Sequence, residues 1–321
     1  MNILVFGKDG QLGKAFQGAF EAQKFGASHD IQYVGRAQCD LSDADAVMNL
    51  LHETQPQLIF NAAAYTAVDQ AEQEIDLAYA VNANAPAIMA QYAVKEGATL
   101  VHYSTDYVFD GTKATPYLET DARNPLGIYG KSKAAGEAAI EDAFRNNRNP
   151  QAQFAILRTS WVYGDGGNFI RTILRLAKER EVLKIISDQH GAPTSSAWLA
   201  GISLLMALGE DGCIKSFPSG IYHAVPNGQT TWHGLATLAI QSAMDAGVQF
   251  KVDAKAIQPI LTAEYSLPAP RPMNSRMSTD KLRSLLVKPG SANAFINEFQ
   301  FPEWENMVRE YVHRLVATGA V

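Results

Sequence analysis

The opening segment constrains this chain more than any other. Ile3 to Phe6 is a short apolar run stopped by Gly7, and Leu12, Ala15, Phe16 and Ala19 recur after it at helical spacing. A strand, a glycine turn and a helix in that order form the start of a dinucleotide-binding crossover. Within Gly7-Lys8-Asp9-Gly10-Gln11-Leu12-Gly13, Gly7 permits the tight turn, Gly10 lets a pyrophosphate approach the backbone, and Gly13 lets helix and strand pack closely. The helix N-terminus offers its free N–H groups to the anion. The spacing is G-x-x-G-x-x-G rather than G-x-G-x-x-G, so the strand and helix on either side carry the reading.

Short apolar runs recur at Ile31 to Val34, Leu58 to Phe60, Leu100 to Tyr103 and Phe154 to Leu157, with helical stretches near 43–54, 76–96 and 129–145 between them. This alternation predicts an α/β fold, a doubly wound parallel sheet covered on both faces, with ligands beyond the carboxyl ends of the strands. The regularity weakens after about residue 160. Phe169 to Glu181, Ser196 to Leu208 and 302–316 read as helices, while Pro259, Pro268, Pro270 and Pro272 predict a loop laid over a site. The expected organisation is a nucleotide-binding domain over 1–160 and a smaller α/β substrate part over 161–321, with segments returning to the first domain.

Composition excludes several classes. With 47% hydrophobic and 19% charged residues in 321, the chain can bury a core, and disorder and coiled coil are excluded. A net charge of −6 provides no field to gather nucleic acid or an acidic membrane. Cys39 and Cys213 are too few for a disulfide framework and lack zinc-site spacing, so both are expected to be small buried hydrophobes. The first residues lack the pattern of a signal peptide, and no apolar run approaches the ~20 residues of a membrane span. A cytoplasmic protein is expected.

The second strand ends Val34-Gly35-Arg36, where an NAD enzyme places a carboxylate for the ribose 2′-hydroxyl. Arg36 instead suits a 2′-phosphate, so NADPH is the expected cofactor and NADH the alternative. Asp40 and Leu41 are placed to line the adenine, although Asp40 could equally cap the helix that follows. After the third strand, Asn61-Ala62-Ala63-Ala64-Tyr65-Thr66 has the small residues that let backbone pass close to a flat cofactor.

Tyr129 and Lys133 stand four apart at the start of a predicted helix, on one face. An ammonium beside a phenol of ordinary pKa ~10 favours the phenolate, and such a Tyr can deliver a proton to a carbonyl oxygen as hydride arrives. Ser104-Thr105-Asp106-Tyr107 ends the fourth strand, where Thr105 can share a hydrogen bond with that oxygen. Gly130-Lys131-Ser132 mimics the end of a phosphate-binding loop, but Pro125 stands where that motif requires glycine. The seven histidines show no metal spacing, and structural or surface roles are expected of them.

Together the glycine turn, Tyr129-x-x-x-Lys133 and Thr105 resemble the extended short-chain dehydrogenase/reductases. The longer blocks Asn61 to Asp69, His102 to Gly111, Arg158 to Tyr163, Asp188 to Thr194 and Arg271 to Ser275 are similar to the dTDP-4-dehydrorhamnose reductases over nearly the whole chain. The resemblance implies reduction of the C4 ketone of dTDP-4-dehydro-β-L-rhamnose, whose product feeds cell-surface polysaccharide such as O antigen. It implies that Tyr129 donates the proton, that Lys133 holds the nicotinamide ribose and tunes Tyr129, and that Thr105 adjusts hydrogen bonding at the ketone. It assigns Gly10, Gln11, Leu12, Asp40, Leu41, Ala64, Tyr65 and Thr66 to the cofactor and Val68, Thr105, Asp106 and Trp161 to the substrate. Arg271 and Asn274 are the expected partners of the dTDP phosphates. Some members dimerise through a magnesium ion held by glutamates; Ala15 and His190 stand in those neighbourhoods, so any homodimer is expected to form without a metal.

Two rivals share these motifs. A 4,6-dehydratase or 4-epimerase of the same fold has the turn and the Tyr/Lys pair, but dehydration needs an acid–base pair after the Thr, and Thr105 is followed by Asp106-Tyr107. A non-catalytic regulatory subunit could keep the fold and lose the acid, whereas Thr105, Tyr129 and Lys133 are all present.

Overall fold

The computed structural model describes residues 1–22, 29–253, 256–287 and 301–321. Its first half runs β1 (Asn2–Phe6), α1 (Gln11–Ala22), β2 (Asp30–Val34), α2 (Ala44–Thr54), β3 (Leu58–Asn61), α3 (Val68–Ala71), α4 (Ile75–Tyr79), a π-helical turn over Ala80–Asn84, α5 (Ala85–Glu96), β4 (Thr99–Thr105), α6 (Ile128–Arg145) and β5 (Gln153–Thr159). The second half adds β6 (Val162–Tyr163), α7 (Phe169–Glu179), β7 (Leu183–Ile186), β8 (His190–Gly191), β9 (Thr194–Ser195), α8 (Ser196–Ala207), β10 (Gly220–His223), β11 (Thr230–Thr231), α9 (Trp232–Asp245), β12 (Ile257–Ile260), α10 (Asp280–Leu286) and α11 (Trp304–Ala317).

Six strands form one parallel sheet in the order β10-β5-β4-β3-β1-β2. The chain leaves β1 for β2 on one side and returns to β3 on the other, so loops diverge at the carboxyl ends of β1 and β3, the place where doubly wound sheets bind ligands. Both central strands β3 and β4 are buried along their full lengths. One face of the sheet packs Val5, Phe60, Val101 and Leu157 against Phe16 and Phe20 of α1 and Leu199 of α8. The other packs Leu4, Ile59, Leu100 and Ile156 against Val47 of α2, Met89 of α5 and Ile140 of α6.

A second packing centre joins α7, α9 and α11, where Ile173, Ile240 and Val308 are buried together beside the parallel β7–β12 pair. Pro259 lies inside β12 rather than in a loop; a proline is tolerated there because a two-stranded pair leaves its N–H side free of a ladder. The alternation predicts no element at 220–223, yet β10 is the sixth strand of the main sheet. Four residues are too few to show periodicity, and the pairing with β5 supplies what the local pattern lacks. Cys39 is buried as expected, but Cys213 is exposed, in a turn where its N–H donates to Asp211.

Helix α6 is seated by charge and by close approach. Arg158 of β5 donates from Nε and Nη2 to the two oxygens of Glu137, at 2.9 and 2.7 Å, with both side chains buried. Gly130 lies so near the Tyr107 carbonyl that a Cβ would come within 2.2 Å of its oxygen. Removing one partner of such a pair leaves a buried charge, so Arg158→Met is expected to cost about 3–5 kcal/mol by urea denaturation. Arg158→Met with Glu137→Leu should recover much of that loss.

Candidate active site

A cavity of about 590 Å³ opens at the switch point. Its lining contains Gly7, Gly10, Gln11, Leu12, Arg36, Asp40, Leu41, Ala63, Ala64, Tyr65, Thr66, Tyr129 and Lys133, all singled out from the sequence. Gly13 stays out of the lining because it does the packing: a Cβ there would come within 2.0 Å of the Gly7 carbonyl oxygen. Gly7 itself has φ +85° and faces the Ala62–Ala63 peptide, which would be 2.7–2.8 Å from a Cβ. These contacts hold the two switch-point loops together. No acidic residue occupies the first turn of α1, so its unpaired N–H groups face the cavity, although Asp9 just before the helix also lines it. These features fit a dinucleotide, with its diphosphate at α1.

At the adenine end, Arg36 reaches Asp40 at 3.3 Å, with the Arg side chain 77% exposed. Asp40 does not cap α2. It accepts from Ser42 N and Oγ in a turn that lowers its pKa, whereas Asp43 accepts from Asp45 N and Ala46 N at the helix start. Arg36 is therefore an exposed cation at the mouth, paired with a screened surface carboxylate.

The chemical end differs from the sequence expectation in one respect. Lys133 does not turn toward Tyr129 to lower its pKa. Its Nζ donates to the Tyr103 carbonyl at 2.5 Å and lies 3.2 Å from His102 Nε2. Burial pushes the Tyr129 phenol up to about 12, partly offset by a hydrogen bond with Thr105. Burial also lowers Lys133 to about 8, with Glu137 opposing. The spacing of four residues put both side chains on one face of α6; the carbonyl of the neighbouring strand then competed for the ammonium.

Beyond Tyr129 lies a polar cluster. Thr105 Oγ1 donates to Asp106 Oδ1 at 3.0 Å and accepts from Tyr107 N. Burial raises Asp106 to about 6 against hydrogen bonds from Ser275 and Thr105. The Tyr107 ring meets Tyr129 edge-on at 5.4 Å between centroids. Arg271 clasps Asp69 through both Nη atoms at 2.7 Å, and Val68, which precedes Asp69, starts α3. Thus Thr105, Asp106 and Tyr129 are linked to Arg271 through Tyr107, and Val68 is placed by its neighbour Asp69. Tyr107, Ser275 and Asp69 complete the cluster; each stands in a quoted motif that gave it no role.

Two expected substrate residues are engaged elsewhere. Asn274 donates to the carbonyls of Lys113 and Thr115 and accepts from Arg276 N and Nε, so its amide holds the loop together instead of standing open to a phosphate. Trp161, at φ +49°, stacks on Trp232 at 3.8 Å and presses on Gly191. It remains partly exposed at the junction with the α7–α9–α11 centre. His102, expected to be structural, contacts Lys133. Among the described residues no group of His, Cys, Asp or Glu is arranged to hold a metal, and no helix is long and apolar enough to cross a membrane.

The family described as RmlD substrate binding domain matches residues 1–316. The chain belongs to this family. It is 39% identical to the dTDP-4-dehydrorhamnose reductase of Shigella flexneri over 325 residues, covering 100% of both chains, and 39% identical to that of Salmonella typhimurium over 326, again covering 100% of both. Among solved structures, a dTDP-4-dehydrorhamnose reductase of Clostridium acetobutylicum aligns with a TM-score of 0.82 at 32% identity, covering 98% of this chain and 99% of the other. The Bacillus anthracis reductase in complex with NADP aligns at 0.79 and 32%, covering 96% and 97%. Membership in the dTDP-4-dehydrorhamnose reductase family makes the chain an NADPH-dependent oxidoreductase, and the substrate class of these reductases is a dTDP-sugar.

The buried acid gives a stability prediction. Asp106 has a raised pKa in the folded chain, so its carboxylate destabilises at neutral pH, and this penalty disappears as pH falls through about 6 toward the unfolded value near 3.8. Asp106→Asn should therefore raise the melting temperature at pH 7 and lose that advantage below pH 4, read by thermal unfolding across pH.

Proposed function

We propose that this protein reduces the C4 ketone of dTDP-4-dehydro-β-L-rhamnose to dTDP-β-L-rhamnose with NADPH, in the cytoplasm. The observation that carries the reading is the pairing of the Tyr129 and Thr105 hydroxyls where the dinucleotide cavity meets the buried polar cluster. Bound in the cavity, NADPH would supply the hydride to C4. A phenol held protonated by burial is the correct state for the acid, and the alkoxide forming at the C4 oxygen is a stronger base than the Tyr129 phenolate. Tyr129 therefore gives up its proton only as charge develops on that oxygen, where Thr105 supplies a second hydrogen bond. Lys133 and Tyr129 both line the cavity, and the one N–H of Lys133 left after His102 and the Tyr103 carbonyl would serve the ribose.

Arg271 is the proposed contact for the dTDP diphosphate, released from Asp69 when the ligand arrives; its planar fork suits phosphate as well as carboxylate. Val68 and Asp106 are the proposed sugar contacts, and Trp161 offers an apolar face at the edge of the site.

The test follows NADPH oxidation at 340 nm, a wavelength set by the cofactor and not by the protein, with the keto sugar generated in situ. Tyr129→Phe should lower kcat by roughly 10²–10⁴-fold and leave NADPH affinity nearly unchanged, while Lys133→Ala lowers both. Wild-type rates in Tyr129→Phe would sink the assignment. Replacing Arg36 by Ala should raise KM for NADPH by roughly ten-fold or more with little change for NADH, the loss expected of one charge-assisted contact to a 2′-phosphate.

A further inference from the structure

Three buried polar side chains are joined behind the cavity. Asn61 and His102 are register partners on β3 and β4, so their side chains share one face of the sheet. The Asn61 amide nitrogen is 3.0 Å from His102 Nδ1, and His102 Nε2 is 3.2 Å from Lys133 Nζ. All three residues are no more than 1% exposed. No other side chain contacts Lys133 Nζ through a hydrogen bond among the described residues; its second partner is the Tyr103 carbonyl.

A neutral imidazole has one N–H and one lone pair, so it cannot accept at both nitrogens. When Lys133 is an ammonium, it donates to Nε2, the ring proton sits on Nδ1, and Asn61 must offer its oxygen there. A neutral Lys133 amine gains a lone pair, so it can accept from Nε2–H while still donating to the Tyr103 carbonyl, and Asn61 then offers its NH2 to Nδ1. Among the described residues Asn61 Oδ1 has no hydrogen-bond partner while the NH2 faces the ring, so only the contact with the ring itself holds the amide in that orientation. Burial holds His102 well below its ordinary pKa, with the Lys133 charge adding to the effect, so the ring stays neutral in both states.

We propose that His102 is the positioning residue for Lys133, and that its tautomer follows the charge of Lys133 with Asn61 turning over to match. His102 thereby gives the buried amine a hydrogen-bond partner in either protonation state and keeps Nζ in place against the Tyr103 carbonyl. The catalytic consequence rests on the reductase reading above; the tautomer itself does not. Several titratable groups surround Lys133. His102 comes from β4, and Tyr129 and Glu137 from α6, with the Glu137 carboxylate bound by Arg158 of β5 and by Arg123. Asp106, beyond β4, acts on Tyr129. Glu137 raises the Lys133 pKa, and burial lowers it to about 8.

The direct test is ¹⁵N NMR of the His102 ring in the cofactor-free protein. The Nδ1–H tautomer is expected at pH 6, giving way to Nε2–H as Lys133 loses its proton near pH 8, with that step absent in Lys133→Met. A single tautomer throughout would overturn the proposal, whatever the enzyme does to any sugar. Kinetics supply the second readout. His102→Leu should lower kcat at pH 8 by about ten-fold, as expected for losing one hydrogen bond to a charged group. It should also move the alkaline limb down by about one pH unit, with KM for the sugar unchanged. His102→Gln, whose carbonyl can accept near the place of Nε2, should restore most of the rate. A wild-type alkaline limb in folded His102→Leu, or equal loss in the Leu and Gln variants, would reduce His102 to packing. If His102→Leu does not fold, Asn61→Leu takes its place and should shift the same limb.

Discussion

The ion pair between Glu137 and Arg158 determines where α6 can lie, and the chemistry depends on that position. Arg158 projects from β5, Glu137 sits one turn after Lys133, and the two are buried within hydrogen-bond distance through two bonds. Burying charges is costly unless every partner is in place, so such a pair tolerates little displacement of the helix against the sheet. With α6 fixed there, Gly130 is flush with the Tyr107 carbonyl, and Tyr129 and Lys133 project from one face toward the end of β4. A helix seated by apolar contacts alone could slide by a fraction of an ångström, and proton transfer is sensitive to such shifts.

A second constraint acts at the switch point. The loops after β1 and β3 touch through glycine and alanine, and the space left between them and α1 is the cavity. One end of this cavity carries the α1 N-terminus and the exposed Arg36, with Asp9 and Asp40 beside them; the other holds the half-buried Tyr129 and the buried Lys133. Charge recognition and proton chemistry are thereby kept apart. Burial shifts the two proposed catalytic groups in opposite directions, keeping the Tyr129 phenol protonated and making the Lys133 ammonium easier to neutralise.

Much of this was legible in the sequence, and what was not has a physical explanation. The five strands from β1 to β5 announce themselves because each is a short apolar run between polar turns, and the glycine turn names its own ligand class by its place between strand and helix. Strand β10 and helix α9 were not legible, since one is too short for a period and the other spreads its apolar residues around the helix and marks no single face. Within the site, Thr105, Tyr129 and Lys133 could be read from spacing. Asn274 could not: its motif marks it as polar and set in a loop, while only the fold shows its amide spent on the Lys113 and Thr115 carbonyls.

The sequence by itself determined the fold class, the dinucleotide site and the Tyr129–Lys133 pair, because each depends on residues close together in the chain, where periodicity and turn chemistry act. The family likewise followed from local blocks. Only the tertiary structure decided the direction of the Tyr129 pKa, the partner of Lys133 and the standing of His102. Those follow from how deeply a group is buried and from which strand lies beside it, and both are set when β3, β4 and β5 come into register under α6.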